Sequence, residues 1–363
     1  MSAVSRIPAI GRVVTGSIQI ADRTIGPGHG VYLVAEISAN HLGTLDRAMK
    51  LVEAAAWAGA DAVKLQTYRP DTITLDSDRP EFTIRGGPWD GRRLFELYRE
   101  AMTPWEWHEP LFAKARACGI AVFSSAFDPT AVALLEGLAA PAYKIASFEI
   151  VDVPLIERCA AAGKPLIIST GIASLPEIAD AVDAAERGGA GGVVLLHCVS
   201  GYPAPPSEMN LRTIPVLAAA FGTPVGLSDH TLGGAVAVAS IALGAVMIEK
   251  HLTLSRGDGG PDAGFSLEPA EFKTMVEGCR LAEAALGGVV HNPVPSARGN
   301  RGLRRSLYAV ADIAAGALFT AENVRSIRPG AGLPPKHLPE ILGRRARRAI
   351  TCGTPLTWFD IDR

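Results

Sequence analysis

The chain of 363 residues is short of several things, and each shortage closes off a class of function. Charge of one sign is missing. With 35 Lys and Arg against 37 Asp and Glu, the formal net charge is −2, and the chain as a whole exerts no pull on nucleic acid. Aromatic residues make up 6% of it, too few for a surface that stacks single-stranded bases. Cysteine is scarce: Cys118, Cys159, Cys198, Cys279 and Cys352 are scattered and odd in number, without CxxC spacing, which argues against a disulfide framework. No run approaches the roughly 18 uncharged apolar residues of a membrane span, so no membrane partner is expected. The first residues, MSAVSRIPAIGRVV, lack a continuous apolar segment, so no secretory signal is expected. The remaining composition, 48% hydrophobic and 20% charged, is that of a globular protein, and a soluble protein of the reducing cytoplasm is the expectation.

What is present is a repeated alternation. After a short hairpin expected over 12–27, turning at Ala21-Asp22, eight apolar runs of strand length follow, at 31–37, 61–66, 120–125, 142–147, 165–170, 193–198, 224–229 and 245–250. Ala-rich helical stretches separate or follow them, at 44–58, 105–118, 129–138, 174–187, 233–243 and 268–286. The runs are too short for helices and rich in Val, Ile and Leu, as in parallel strands buried on both faces. Gly closes several helices (AWAGADAV, ARACGIAV, AAAGKPLI), a C-cap signal. Eight strand–helix units over about 250 residues fit an α/β fold of the (β/α)₈ TIM-barrel type. A doubly wound open sheet is the alternative, ranked lower because no GxGxxG follows the first strand. The expected division is a barrel over 1–286, a Gly/Pro/Asn-rich linker over 287–302 and a small domain over 303–363. That last piece, at about 60 residues, is marginal alone and is expected to pack on something.

In such a barrel the active site gathers at the C-terminal ends of the strands. All eight runs end in polar residues: Glu36 with Asn40 and His41; Lys64 with Gln66; Ser124 and Ser125; Lys144 with Ser147 and Glu149; Ser169 and Thr170; His197 and Cys198 with Ser200 and Tyr202; Ser228, Asp229 and His230; Glu249, Lys250 and His251. Each alone has a plain reading, a helix cap or a satisfied buried group. Eight together converge on one mouth. Lys64 and Lys144 with Ser147, Ser169, Thr170 and Ser228 make a cationic, hydroxyl-rich set suited to a phosphate or carboxylate. A lysine there can also form a Schiff base, which keeps a class I aldolase open. His230 and His251 end adjacent strands, roughly 5 Å apart, and both can reach one Mn²⁺, Mg²⁺ or Zn²⁺ ion. Glu36, Glu149 and Asp262 are acid/base candidates, Asp262 lying in the glycine-rich loop RGDGGPDAGFS. Cys198 and His197 are read as packing.

The motifs AEISANHLG (35–43), VKLQTY (63–68), YKIASFEIVD (143–152), STGIA (169–173), LLHCVSGYPAP (195–205), GLSDHTLG (226–233) and EKHLT (249–253) resemble the sialic acid (nonulosonic acid) synthase family, over nearly the whole chain. From about 303 the chain resembles the antifreeze-like (SAF, β-clip) domain of these enzymes, with RSLYAV and RPGAGL. GGPWDGRRLFELYREAMTPWEWH (86–108) and FSSAFD (123–128) resemble the branch that makes pseudaminic acid more than the N-acetylneuraminate or legionaminate branches. One departure agrees: where many N-acetylneuraminate synthases carry Asn in HCTNxYP, this chain has Ser200.

The resemblance implies a transferase that condenses phosphoenolpyruvate with an acetamido-deoxy sugar for surface glycan synthesis. It implies a divalent metal on His230 and His251, usually Mn²⁺, with Mg²⁺ or Co²⁺ as alternatives. Lys64, Lys144, Ser147, Ser169, Ser200 and Ser228 would hold phosphoenolpyruvate. Glu36 would activate the attacking water, with Glu149 sharing that work. Gln66, Tyr202 and Asp262 would contact the acceptor, together with Arg328 from the SAF domain of the neighbouring subunit in a domain-swapped homodimer. Trp89 is a candidate for the apolar side of the acceptor pocket, while Trp105 and Trp107 are read as packing. A non-catalytic carbohydrate-binding module is the alternative from another class. It has no need of Glu36, two His and two Lys together.

Overall fold

The computed structural model describes residues 16–292 and 294–362. The N-terminal segment in which no secretory signal was expected, and residues 12–15 of the expected hairpin, lie outside that range. The chain divides into two compact units, one running to Gly287 and the other from Gly288.

The first unit begins with the hairpin β1 (Ile18–Ile20) and β2 (Arg23–Ile25), turning at Ala21-Asp22. Eight strands follow: β3 (Tyr32–Glu36), β4 (Ala62–Thr67), β5 (Ala121–Ala126), β6 (Tyr143–Ile145), β7 (Leu166–Ser169), β8 (Val193–Cys198), β9 (Val225–Asp229) and β10 (Met247–His251). They close into a barrel in sequence order, β10 pairing with β3, and every neighbouring pair is parallel. The expected helices appear as Leu45–Trp57, His108–Ala117, Pro129–Gly137, Leu175–Gly188, Ala235–Ile241 and Pro269–Leu286. Helices at Leu94–Ala101, Val153–Ala160 and Thr213–Phe221 add to them. The second of these is short and carries Pro at its start, where Asp152 caps it by accepting the Leu155 N–H at 3.1 Å.

Alternation along each strand decides what faces where. One set of positions points into the barrel. Tyr32, Val34, Ala62, Phe123, Ala142, Ile167, Val194, Leu196 and Met247 form one buried apolar cluster with Ile18, Ile20 and Ile25 of the hairpin. The hairpin therefore plugs the N-terminal end of the barrel. Gly226 belongs to this layer: a Cβ there would sit 2.3 Å from the Met247 carbonyl oxygen and 2.7 Å from Leu196 Cδ2. The other set, including Leu33, Val63, Ile145, Ile168, Leu195, Leu227 and Ile248, packs outward against the helices.

Stepping two residues up each strand from the inner apolar layer reaches Glu36, Lys64, Ser125, Lys144, Ser169, Cys198, Ser228 and Glu249. The inward face thus turns from apolar to polar within one side-chain layer on all eight strands. Residues one step out of phase do not join the mouth, which corrects the expectation that every polar strand end converges there. Ser124 hydrogen-bonds Thr67, which holds His108. His197 hydrogen-bonds the Met209 carbonyl. Lys250 pairs with Asp229 at 2.8 Å, both side chains inaccessible.

The second unit carries the antiparallel pair β11 (Ser306–Ala309) and β12 (Val324–Ile327). It has its own apolar cluster, which includes Leu307, Phe319, Val324, Ile341, Ile350 and Leu356. Among the described residues no cysteine is paired and no helix is long and apolar enough to cross a membrane.

Candidate active site

The polar layer forms the floor of a cavity of about 520 Å³ at the C-terminal end of the barrel. Lys64, Gln66, Lys144, Ser147, Glu149, Ser169, Tyr202, Ser228, His230, His251 and Asp262 all line it. Eleven expected residues from six strands and their loops thus share one chamber. Its other side is apolar, with Ile73, Ile84, Trp89, Leu94 and Leu97 from the long excursion after β4.

The two lysines differ. Lys64 is ion-paired with Glu36 and, at 3.0 Å, with Glu249, and it also reaches Ser125 Oγ at 3.3 Å. Burial alone would lower its pKa, but the two carboxylates outweigh burial and raise it, so it stays charged. Lys144 has no carboxylate at bonding distance. It donates to Ser169 Oγ at 2.6 Å and to its neighbour's carbonyl at 3.0 Å. Burial, aided by the Lys64 charge, pushes it down to about 8. The lysines are therefore not the bare cationic patch that their residue types suggest; one is already neutralised.

The free capacity for an anion lies beside Lys144. The Gly171 N–H donates to Ser147 Oγ at 3.2 Å, and Ser200 Oγ is buried with no hydrogen-bond partner. A Cβ on Gly171 would fall 2.3 Å from Ser200 Oγ and 2.8 Å from Ser147 Oγ. Three hydroxyls, an ammonium and a glycine whose missing Cβ leaves room for two of those hydroxyls thus meet in one cradle, although Ser200 itself does not line the main cavity.

Four carboxylates surround the chamber. Glu36 is fully buried beneath the floor and accepts the Ser38 N–H at 2.7 Å. Burial raises its pKa, Lys64 opposes, and Glu249 adds to the rise. Glu149 lines the cavity, has a buried carboxylate oxygen without a partner, and is pushed by burial up to about 7. Asp262 is raised by burial and accepts from Ser38 Oγ. Gln66 reaches that same hydroxyl at 3.3 Å. Ser38 holds φ at +36°, a strained backbone of the kind found at functional sites.

The two imidazoles stand side by side, ring centroids 5.4 Å apart. The hydrogen bond of His230 Nδ1 to the Val199 carbonyl, 3.0 Å, orients its ring and leaves Nε2 free. Burial, with the nearby positive charges, holds His251 well below the usual histidine range, in the neutral form that binds metals. Its Nδ1 is buried without a hydrogen bond, and Asp262 stands 3.9 Å from it. Among the described residues no three His, Cys, Asp or Glu side chains form a ready-made metal cluster. The donors fit an open site, with two imidazoles from the protein and the other positions left to water and substrate oxygens.

Sequence reasoning counted Glu249 among the polar strand ends without giving it a role, and did not name Ser38. Glu249 sits within EKH, and its inward position two residues past Met247 was the available signal. Asn40 and His41 are structural: Asn40 ties down the Leu252 carbonyl and Ser266, each at 2.9 Å, and His41 packs edge-on against Trp107. Trp105 donates to the Tyr68 carbonyl, as packing requires. Arg328 lies exposed in the second unit, just past β12.

The NeuB family model matches residues 51–291, and the SAF domain model matches residues 304–362. The chain belongs to the NeuB family. It is 45% identical over 332 residues to a pseudaminic acid synthase of Campylobacter jejuni, covering 92% of this chain and 97% of that one. It is 43% identical over 332 residues to a pseudaminic acid synthase of Helicobacter pylori, covering 91% and 98%. The crystal structure of the spore coat polysaccharide biosynthesis protein spsE of Bacillus subtilis superposes with a TM-score of 0.66 at 34% identity, covering 96% of this chain and 99% of that one.

Proposed function

We propose that this NeuB-family chain condenses phosphoenolpyruvate with 2,4-diacetamido-2,4,6-trideoxy-L-altrose and water, releasing phosphate and pseudaminic acid. The observation that carries the reading is the cradle around Lys144, Ser147, Ser169 and Ser200, an anion site opening into a chamber with free carboxylate oxygens. The 43–45% identity to pseudaminic acid synthases supports the choice of acceptor.

The Lys144 ammonium and the serine hydroxyls hold the phosphate and carboxylate of phosphoenolpyruvate, with Ser228 at the edge of the site. An arriving anion also draws on the Lys64 charge. Glu36 and Glu249 then lose part of the cation that holds them ionised, and Glu36 becomes a stronger base. C3 of phosphoenolpyruvate adds to the aldehyde carbon of the open-chain sugar. Water adds at C2, with Glu36 and Glu149 accepting its proton. The C2–O bond to phosphate then breaks, and the water oxygen becomes the ketone oxygen of the product. Of the two water protons, one ends on the new hydroxyl and one on phosphate. A divalent cation on His230 and His251, Mn²⁺ by our assignment, would polarise the aldehyde. Gln66, Tyr202 and Asp262 orient the sugar.

Arg328 of the partner subunit completes the acceptor site in a domain-swapped homodimer. Mixing Arg328→Ala with Lys144→Ala tests this, since heterodimers then regain one intact site. Activity no greater than that of the separate variants removes the swap.

A second reading rests on Lys144 alone. A buried lysine pushed down to about 8 suits a Schiff base with a keto acid, the chemistry of a lyase. Phosphate release from phosphoenolpyruvate, assayed with the altrose derivative and with N-acetylmannosamine in parallel, tests the proposed reaction. Release with the altrose derivative is expected. Release only with N-acetylmannosamine would replace the acceptor, and no release with either would remove the reaction.

A further inference from the structure

A second cavity of about 420 Å³ lies behind the acceptor side of the chamber. Trp89, Tyr202, Pro261 and Phe265 line both, so the partition between them is one side chain thick. Tyr202 and Phe265 are bound to the reacting end: Tyr202 packs 4.4 Å from the His230 ring and Phe265 4.9 Å from the His251 ring, centroid to centroid. Trp89 stands on their far side, 5.3 Å from the Tyr202 ring and 6.4 Å from the Phe265 ring. Its indole N–H donates to the Pro261 carbonyl at 3.0 Å, which pins the excursion after β4 to the loop after β10.

The geometry points to Trp89 as the residue that sets the size limit of the acceptor. This rests on reading the chamber as an acceptor site. The indole belongs to the chamber's apolar wall together with Ile84, Leu94 and Leu97, a lining in which acyl methyls and a deoxy carbon find apolar contact and a free hydroxyl finds no partner. Beyond the indole the second cavity carries Arg92 and Glu100, so the space there is polar as well as open. Shortening Trp89 joins the two spaces and admits acceptors with longer N-acyl groups, while Lys144 and its hydroxyl cradle, on other strands, are left in place.

The test compares kcat/KM for 2,4-diacetamido-2,4,6-trideoxy-L-altrose and its di-N-butanoyl analogue, in the full chain and in Trp89→Ala, Trp89→Leu and Trp89→Phe. The unaltered chain should prefer the acetyl sugar by about tenfold or more, and Trp89→Ala should erase about tenfold of that preference. Trp89→Leu guards against a folding defect in the alanine variant and should move the preference the same way by less. Trp89→Phe, which loses the hydrogen bond to Pro261 but keeps a ring, should retain most of it. A preference unchanged within about twofold in both the Ala and Leu variants, with the acetyl sugar still turned over, overturns the role of Trp89 and leaves the acceptor reading standing. No phosphate release by the unaltered chain with any acetamido sugar overturns both.

Discussion

The two ends of the barrel interior are built from the same eight strands and have opposite chemistry. At the N-terminal end Ile18, Ile20 and Ile25 of the hairpin seal a layer of Val34, Phe123, Ile167, Leu196 and Met247. Two residues further along, the layer holds two lysines, two glutamates, three serines and a cysteine. The first end contributes apolar burial; the second concentrates charges that burial makes costly unless they are paired. Stability and chemistry are thus separated along the strand axis, as the barrel architecture permits. The pairing of Lys64 with Glu36 and Glu249 shows how most of the polar layer's charge is tolerated, while Lys144 is left with only a hydroxyl and a carbonyl as partners.

That contrast can be broken from either end. The largest effect is expected at the polar end. Lys144→Ala should lower phosphate release by about 10²–10³-fold, as loss of a preorganised charge-stabilising group does. Because it removes a buried cation without a carboxylate partner, its thermal midpoint should not fall. A variant that keeps turnover within about tenfold would place Lys144 outside the chemistry, and a lowered thermal midpoint would show that its burial is stabilising.

At the opposite end, Ile20→Ala should cost about 2–5 kcal/mol in denaturant unfolding, because the hairpin leaves a cavity under the barrel. Its KM for phosphoenolpyruvate should stay unchanged. A shifted KM would mean that the two layers are coupled.

The pH profile sharpens the polar end further. Glu149, raised to about 7, works as a base only when deprotonated, so kcat/KM should rise as pH passes about 7. Lys144, lowered to about 8, holds an anion only when protonated, so the rate should fall above about 8. Glu149→Gln should lose the acid limb and keep the alkaline one. An unchanged acid limb assigns that proton to Glu36.

The smallest effect is expected outside both layers. Arg158 makes two hydrogen bonds with Glu136 on the helical surface, at 2.9 and 2.6 Å. Arg158→Ala should change stability by less than about 1 kcal/mol and leave turnover alone, as exposed ion pairs usually do. A loss exceeding that of Ile20→Ala would show that the helical shell, not the plugged end, carries the stability.

The strands were legible in the sequence because each is a compact Val/Ile/Leu run with a polar end, and the helices between them carry Gly or Pro at their limits. Which polar ends face inward was not used in that reading, although strand alternation encodes it. Asp229, Lys250 and His197 lie one residue out of phase and serve the helix-facing core instead. The partnership of Lys64 with Glu249 joins residues far apart in the chain and depends on closure, which sets β10 beside β3. Ser38 gave no signal because its role depends on an unusual backbone angle that no residue type announces. The cradle around Gly171 was half visible: Ser169 stood out as a polar strand end, but the approach of Ser200 to Gly171 comes from the neighbouring strand's loop.

The central claim is that Lys144 and its hydroxyl neighbours hold phosphoenolpyruvate while its C2–O bond breaks, without a covalent lysine adduct. Phosphoenolpyruvate labelled with ¹⁸O at the bridging oxygen, turned over with the altrose derivative and a divalent metal, tests it directly. The account predicts that the label leaves with phosphate and that borohydride traps no lysine. Label retained in the nonulosonic acid, or a reduced adduct on Lys144, would contradict it.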